Sequence, residues 1–215
     1  TRLGRDDLRW DKIWEQKSMY TTPRDKTQIR RLQRRNLWVA QHGGCDHTTC
    51  AATGCNQQES QLHLVECPII NREFWEPLSQ LIPSLGLQAE NSPTYWITGT
   101  MADGKHADSE SWAMVTWAWR SLYACTTKTH LEGARLNFKV ALMLTFRYAI
   151  SRTIAHGRRW KLWFTRQEDH HDGITAFPLQ HRSHELIEFE VDTARYHTHP
   201  KLPEIIAQLR SEINN

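Results

Sequence analysis

The chain has 215 residues, a mass of 25.2 kDa and a net charge of +3, and its length allows one or two domains. Its hydrophobic content of 39% and its ten tryptophans exclude wholesale disorder. No apolar run reaches the ~18–20 residues that cross a bilayer, and no signal peptide begins at Thr1. We therefore expect an intracellular protein, nuclear or cytoplasmic, that is neither secreted nor inserted in a membrane.

The charge alternates strongly along the chain. Residues 1–41 carry +6 (11 Lys/Arg, 5 Asp/Glu) and residues 42–111 carry −7 (2 against 9). Residues 112–167 carry +9 (10 against 1) and residues 168–215 carry −5 (4 against 9). Basic blocks of this size are typical of contact with nucleic-acid phosphates, because cations gain affinity by displacing counterions from the backbone. The alternative is that the blocks neutralise one another across the fold.

A basic amphipathic helix is predicted over residues 24–38. Ile29, Leu32 and Leu37 fall on one arc of this helix. The other arc carries candidate nucleic-acid contacts, four cations for phosphates and one indole for base stacking: Arg30, Arg31, Arg34, Arg35 and Trp38. The alternative is a solvated helix face with the indole in the core. The glycine pair at 43–44 is expected to end the helix.

Three of the five cysteines and one histidine lie within 18 residues. Their spacing is Cys-x4-Cys-x7-His-x3-Cys, and the candidate ligands are Cys50, Cys55, His63 and Cys67. Short Cys/His spacings allow a loop and a helix to supply the tetrahedral ligands of Zn²⁺. Because protein fills all four positions, the pattern predicts a structural rather than a catalytic ion.

The local sequence predicts how this site is shaped. Asn56 and Glu59 resemble a capping box, which predicts a helix that starts just after Cys55. His63 and Cys67 would then lie on the same side of that helix. The proline that follows Cys67 disfavours helical geometry there, so the helix should end at this ligand.

Other uses of these cysteines are conceivable. Disulfide bonds are disfavoured by the odd number of cysteines and the missing secretory signal, and ordinary small buried residues are a further alternative. Cys45 or His47 can replace Cys50 as a ligand. Cys125 lies in an apolar segment and is predicted to be a core residue.

The rest of the chain is predicted to be mostly helical. Helices are expected over residues 69–82, 109–127, 130–157 and 202–213, with a polar loop over residues 86–104. Gly157 is expected to close the third helix, and a separate short helix should begin at residue 158. A second basic and aromatic group there supplies further candidate nucleic-acid contacts: Arg158, Arg159 and Lys161, beside Trp160 and Trp163.

The tail and the domain organisation complete the prediction. Apolar residues alternate over 186–191, which is typical of a short strand. We predict a mainly α fold with a small CCHC-type zinc-bound loop–helix element and a short strand near the C-terminus. Residues 1–80 would form a unit of basic helix and zinc module, and residues 81–215 a tryptophan-rich helical unit, unless the two form one continuous domain.

The segment CNQQESQLHLVECPIINREFW resembles the zinc-binding region C-terminal to the polymerase in reverse transcriptases of non-LTR retrotransposons. The shared features are the Cys pair, Glu59-Ser60-x-x-His63-Leu64, Cys67-Pro68 and Trp75. The upstream segment with Trp14 and the downstream WAWRSLYA are also similar to the family. The first pair is Cys-x4-Cys where the family has nearer Cys-x2-Cys, and the His-to-Cys gap is three residues where the family has nearer four.

The resemblance implies an appendage held by structural Zn²⁺ that helps a polymerase to engage template RNA or target DNA. Its partners would be RNA or DNA and the polymerase portion of a parent chain. Because the sequence does not start with Met, we expect it to be a piece of a larger protein. No Tyr-x-Asp-Asp motif occurs, so we expect no catalysis by this piece. The alternatives are a zinc-stabilised protein-interaction scaffold and a metal-dependent nuclease that uses His197 with Glu188 or Asp192.

Overall fold

A computed structural model describes residues 8–15, 21–33, 49–133, 135–168, 187–190 and 195–214. For residues 12, 14–15, 156–168, 187–190 and 195–198 it describes the backbone element only. The described part of the chain is mainly α-helical, which confirms the predicted fold class.

The described helices fall into three groups along the chain. Two short N-terminal helices are α1 (Trp10–Glu15) and α2 (Pro23–Gln33). A helical stretch then comprises α3 (His63–Glu66), α4 (Pro68–Ile70), a π-helical turn (Asn71–Trp75), α5 (Glu76–Leu81) and a 3₁₀ turn (Ile82–Leu85). The remaining helices are α6 (Pro93–Thr98), α7 (Ser109–Glu132), α8 (Phe138–Glu168) and α9 (Lys201–Asn214).

Helix α7 forms the centre of the fold and is buried on most sides. Asp108 caps its first turn, with its carboxylate accepting from the Glu110 and Ser111 N–H groups at 2.9 and 2.7 Å. Gly133 ends it at φ +65°, where a residue with a Cβ would be strained. α8 and α2 pack against α7, and α9 packs against α8. Of the described helices, none combines the length and hydropathy that spanning a membrane would require.

Two predicted helix boundaries near α8 are wrong. The break lies at Gly133 rather than before residue 130, and Gly157 does not end α8, which continues to Glu168. The segment that begins at residue 158 is therefore part of α8 and not a separate helix. A glycine costs a helix interior only ~1 kcal/mol, so a long helix can include one.

A helix also forms inside the segment predicted to be a polar loop. The Ser92 hydroxyl caps α6 by accepting from the Tyr95 N–H at 3.1 Å, and Gly99 ends the helix at φ +68°. Tyr95 and Trp96 are fully buried, so the helix is retained by packing of its aromatic residues.

The predicted C-terminal strand is present as one arm of a hairpin. β1 (Ile187–Glu190) pairs antiparallel with β2 (Arg195–Thr198), and the hairpin lies beside α8. Glu188 is the register partner of His197, whereas Asp192 lies outside the described residues. His199 follows β2, and its Nδ1 accepts from the Lys201 N–H at 3.2 Å at the start of α9.

A tryptophan cluster lies at the heart of the core. The Trp75 ring stacks on Trp96 at 4.8 Å between centroids and contacts Trp119 at 5.2 Å. The Trp119 Nε1–H donates to the Trp96 carbonyl at 2.6 Å. The core that contains these rings extends from Ile29 to Leu209 and includes residues on both sides of residue 80. The division at residue 80 stays a prediction.

Candidate metal centre

The structure brings the four predicted metal ligands together. Each of Cys50, Cys55, His63 and Cys67 offers one ligand atom, and these four atoms lie within 4.8 Å of one another. The Cys50 and Cys67 Sγ atoms are 3.9 Å apart, and the Cys55 Sγ lies 3.3 Å from the His63 Nε2. A tetrahedral Zn²⁺ with bonds of ~2.3 Å to sulfur and ~2.0 Å to nitrogen requires edges of roughly 3.5–3.8 Å. The separations of 3.9 and 3.3 Å are close to these edges, so the cluster can hold a metal ion, and its three sulfurs and one imidazole suit Zn²⁺.

The first two ligands are supplied by a loop that folds back on itself. Thr49 and Gln58 form an isolated antiparallel bridge, and the Cys50 N–H donates to the Gln57 carbonyl at 2.8 Å. Between these strand-like ends, Gly54 has φ +87° and permits the reversal of the chain before Cys55. The loop thus brings the thiols of Cys50 and Cys55 close to the ligand atoms of His63 and Cys67.

The helix at this site starts later than the predicted capping box implies. Residues 56–60 are not helical, and α3 begins at His63, with the Ser60 Oγ accepting from the His63 N–H at 3.0 Å. Glu59 does not cap a helix because its carboxylate is used elsewhere, accepting from the Ala51 N–H at 3.3 Å. At its other end α3 finishes before Cys67, whose ψ of 120° is extended, as the following proline predicts.

Burial shapes the protonation of the ligands. Cys67 is fully buried and Cys50 almost so, whereas Cys55 and His63 are half-buried. Burial raises the pKa of the Cys50 thiol far above its usual range; the Ala52 N–H opposes this, and the charges of Cys67 and Cys55 add to it. Burial lowers the pKa of the His63 imidazole, although Glu59 acts in the opposite direction. A divalent cation would compensate the thiolates and displace their protons.

The structure excludes a disulfide bond among the described cysteines, but it does not test whether Cys45 or His47 replaces Cys50. Cys50, Cys55, Cys67 and Cys125 are free, and a Cys50–Cys67 separation of 3.9 Å exceeds the ~2.05 Å of a disulfide bond. Cys125 is partly buried against the hydrophobic core. Cys45 and His47 lie outside the described residues, so their exchange with Cys50 stays a prediction.

Two contacts fasten the cluster to the rest of the fold. The Trp75 Nε1–H donates to the Leu64 carbonyl of α3 at 2.8 Å, which joins the metal-binding helix to the tryptophan cluster. His130, on the last turn of α7, places its Nε2 2.8 Å from the Glu59 carboxylate. No signal in the sequence singles out His130, because it is 71 residues away from its partner.

The predicted nucleic-acid contacts are only partly within the described residues. On α2, Arg30 and Arg31 are exposed while Ile29 and Leu32 are buried, so the predicted division of this helix into two faces is confirmed as far as Gln33. Arg34, Arg35 and Trp38 lie outside the described residues. Arg158, Arg159 and Lys161 lie on the part of α8 that is described as backbone only.

A buried ion pair that the sequence did not predict attaches α2 to α7. The carboxylate of Asp25 is fully buried; it accepts from the Thr22 N–H at 2.9 Å and pairs with the guanidinium of Arg120. The Nε of Arg152 on α8 lies 3.8 Å from the same carboxylate. Burial raises the pKa of Asp25, but the hydrogen bonds from Thr22 and Arg120 outweigh it, so the pKa lies below its ordinary value. The helix that carries the exposed arginines is therefore connected through Asp25 to α7 and α8.

Comparison of the chain with family models, with curated proteins and with solved structures finds no match. Among the described residues, one group of three or more Cys, His, Asp or Glu side chains lies close enough together to share an ion. Its members are Cys50, Cys55, His63 and Cys67.

Proposed function

We propose that this chain is a non-catalytic, nucleic-acid-binding module of a retroelement reverse transcriptase, held together by one structural Zn²⁺. The observation that carries the proposal is the convergence of three thiols and one imidazole within 4.8 Å. Protein ligands account for all four corners of a tetrahedron, which leaves no position for a substrate or a reactive water. The ion's role is then to fold the segment around it.

The supporting cations lie on α2. Arg30 and Arg31 are exposed on this helix, and the Asp25–Arg120 pair connects it to α7. The metal loop reaches α7 as well, through Glu59 and His130. Because both are attached to one helix, the ion would help to keep the basic face in a fixed place relative to the rest of the fold. Phosphates of RNA or DNA are the ligands that such a face suits.

The test is a salt titration of binding to a duplex DNA and to a single-stranded RNA. Removing one phosphate-binding cation should reduce the slope of log K against log salt by ~0.9 on duplex DNA and ~0.7 on a single strand. Replacing both Arg30 and Arg31 by alanine should therefore lower the affinity and flatten the duplex slope by about 1.8. The matched control replaces Arg72 and Lys105, two exposed cations of the acidic block, and should leave the slope unchanged.

A second candidate function is a zinc-stabilised protein-interaction scaffold. It is favoured by ion pairs that join different charge blocks, since Lys139 of the third block pairs with Glu212 of the fourth at 3.4 Å. If this is the function, nucleic-acid binding should be weak in all variants, and the Arg30 and Arg31 substitutions should not change its salt slope. The same titration thus separates the two proposals.

A further inference from the structure

Glu59 and His130 form a polar contact that is removed from water. The His130 Nε2 and a Glu59 carboxylate oxygen are 2.8 Å apart, and the two side chains are only 4% and 2% exposed. One partner lies in the metal loop and the other on the last turn of α7. A buried polar contact of this kind is costly to break, because neither group can replace the lost hydrogen bond with one to water.

The same carboxylate oxygen also reaches the segment that carries the first ligand. It accepts from the Ala51 N–H at 3.3 Å, and Ala51 directly follows Cys50. The next amide, the N–H of Ala52, points at the Cys50 Sγ at 3.5 Å. Glu59 therefore orients the backbone that directly follows Cys50, and His130 in turn orients Glu59.

We propose that Glu59 and His130 are positioning residues that couple occupancy of the metal site to the C-terminal turns of α7. Partners that orient metal ligands commonly change metal affinity by about 10- to 100-fold when they are removed. The coupling is reciprocal: if His130 increases the affinity for the ion, the ion stabilises the turn that carries His130 to the same extent. The inference depends on the proposed metal site, but not on nucleic-acid binding.

The first experiment measures metal affinity by competition with a chromophoric chelator, using Zn²⁺, and the ligand field by the absorption spectrum of bound Co²⁺. Glu59→Ala and His130→Ala should each weaken binding by about 10- to 100-fold. His130→Gln keeps an N–H donor on a side chain of similar reach and should recover most of the affinity. The control is His106→Ala, which removes another histidine with a hydrogen bond, to Thr100 at 3.2 Å, on a different loop.

The second experiment uses the unaltered chain, so it does not depend on whether a variant folds. Amide hydrogen exchange is compared with Zn²⁺ bound and after chelation. We expect chelation to accelerate exchange at Ala51 and over residues 126–132, with a smaller effect over residues 112–119 in the middle of α7. In the Glu59→Gln variant, which removes the charge, the effect on residues 126–132 should be reduced.

The outcomes distinguish a wrong metal site from a wrong positioning role. If the unaltered chain binds no Zn²⁺, the metal site itself is wrong. If it binds Zn²⁺ and the variants, folded by circular dichroism, bind it as tightly, the positioning role is refuted while the metal site stands. Equal exchange over residues 126–132 with and without the ion refutes the coupling even if no alanine variant folds.

Discussion

Replacing Asp25 tests whether the basic helix is held by its buried carboxylate. Asp25→Asn keeps the shape of the side chain but removes the charge that faces Arg120 and Arg152. The Asp25 side chain is fully buried and that of Arg120 is 17% exposed, so the arginine is left largely without a counter-charge or water. Removing one member of a buried pair typically costs about 3–5 kcal/mol, and the partial exposure of Arg120 favours the lower end, about 3 kcal/mol.

The pH dependence supplies the more specific part of this prediction. The pKa of Asp25 is lowered on folding below its ordinary value of 3.8. The unfolded chain therefore holds this proton more tightly than the folded chain, and the stabilisation is complete above 3.8 and lost as the pH falls through the folded pKa. The difference in unfolding free energy between the parent chain and Asp25→Asn should thus be constant near neutrality and shrink below pH 3.8.

The assay is urea unfolding followed by tryptophan fluorescence over a series of pH values. Taking the difference between the two proteins cancels titrations common to both, including proton competition at the metal ligands. A double-mutant cycle with Arg120→Met should show that the two changes cost less together than the sum of their separate costs. A loss of under 0.5 kcal/mol at pH 7, or a difference that does not depend on pH in the acid range, would refute the reasoning.

Two further predictions concern the metal centre and its support. Cys67→Ser should remove the metal from the purified protein, because the substituted atom is one of four converging ligands. The zinc content measured by elemental analysis should fall from one Zn²⁺ per chain to none. The control variant Cys125→Ser should retain its zinc. Retention of stoichiometric Zn²⁺ by Cys67→Ser would contradict the ligand set. Trp75→Phe should cost about 1–3 kcal/mol because the Leu64 carbonyl loses its donor. Trp117→Phe is the matched control, since this buried indole N–H has no acceptor in the described part of the chain, and equal losses would contradict a role for the Trp75 hydrogen bond.

Local sequence patterns predicted the converging ligands, the buried positions of one helix and the existence of two others. The spacing of Cys50, Cys55, His63 and Cys67 predicted a set of ligands that converge in the structure. The burial of Ile29 and Leu32 followed from helical periodicity. The existence of α7 followed from a long segment that is apolar on most sides, and that of α9 from a proline in the first turn. These features depend on a few neighbouring residues, so the backbone has few other ways to arrange them.

Boundaries were less predictable where two local signals compete. Glu59 has the spacing of a capping residue, yet its side chain contacts Ala51 and His130, and the helix does not begin until His63. Gly157 is a helix-weakening residue, yet α8 continues through it. The cost of a missing cap or an internal glycine is only ~1 kcal/mol, which tertiary packing readily exceeds.

The sequence by itself determined the kinds of chemistry available: a set of thiols and an imidazole close enough along the chain to share an ion, and a helix with a basic face. Only the tertiary structure decided what holds these parts in place. Asp25 meets Arg120 across 95 residues, and Glu59 meets His130 across 71. Such contacts arise from the packing of whole helices, so they carry no local periodicity or spacing by which a sequence can reveal them.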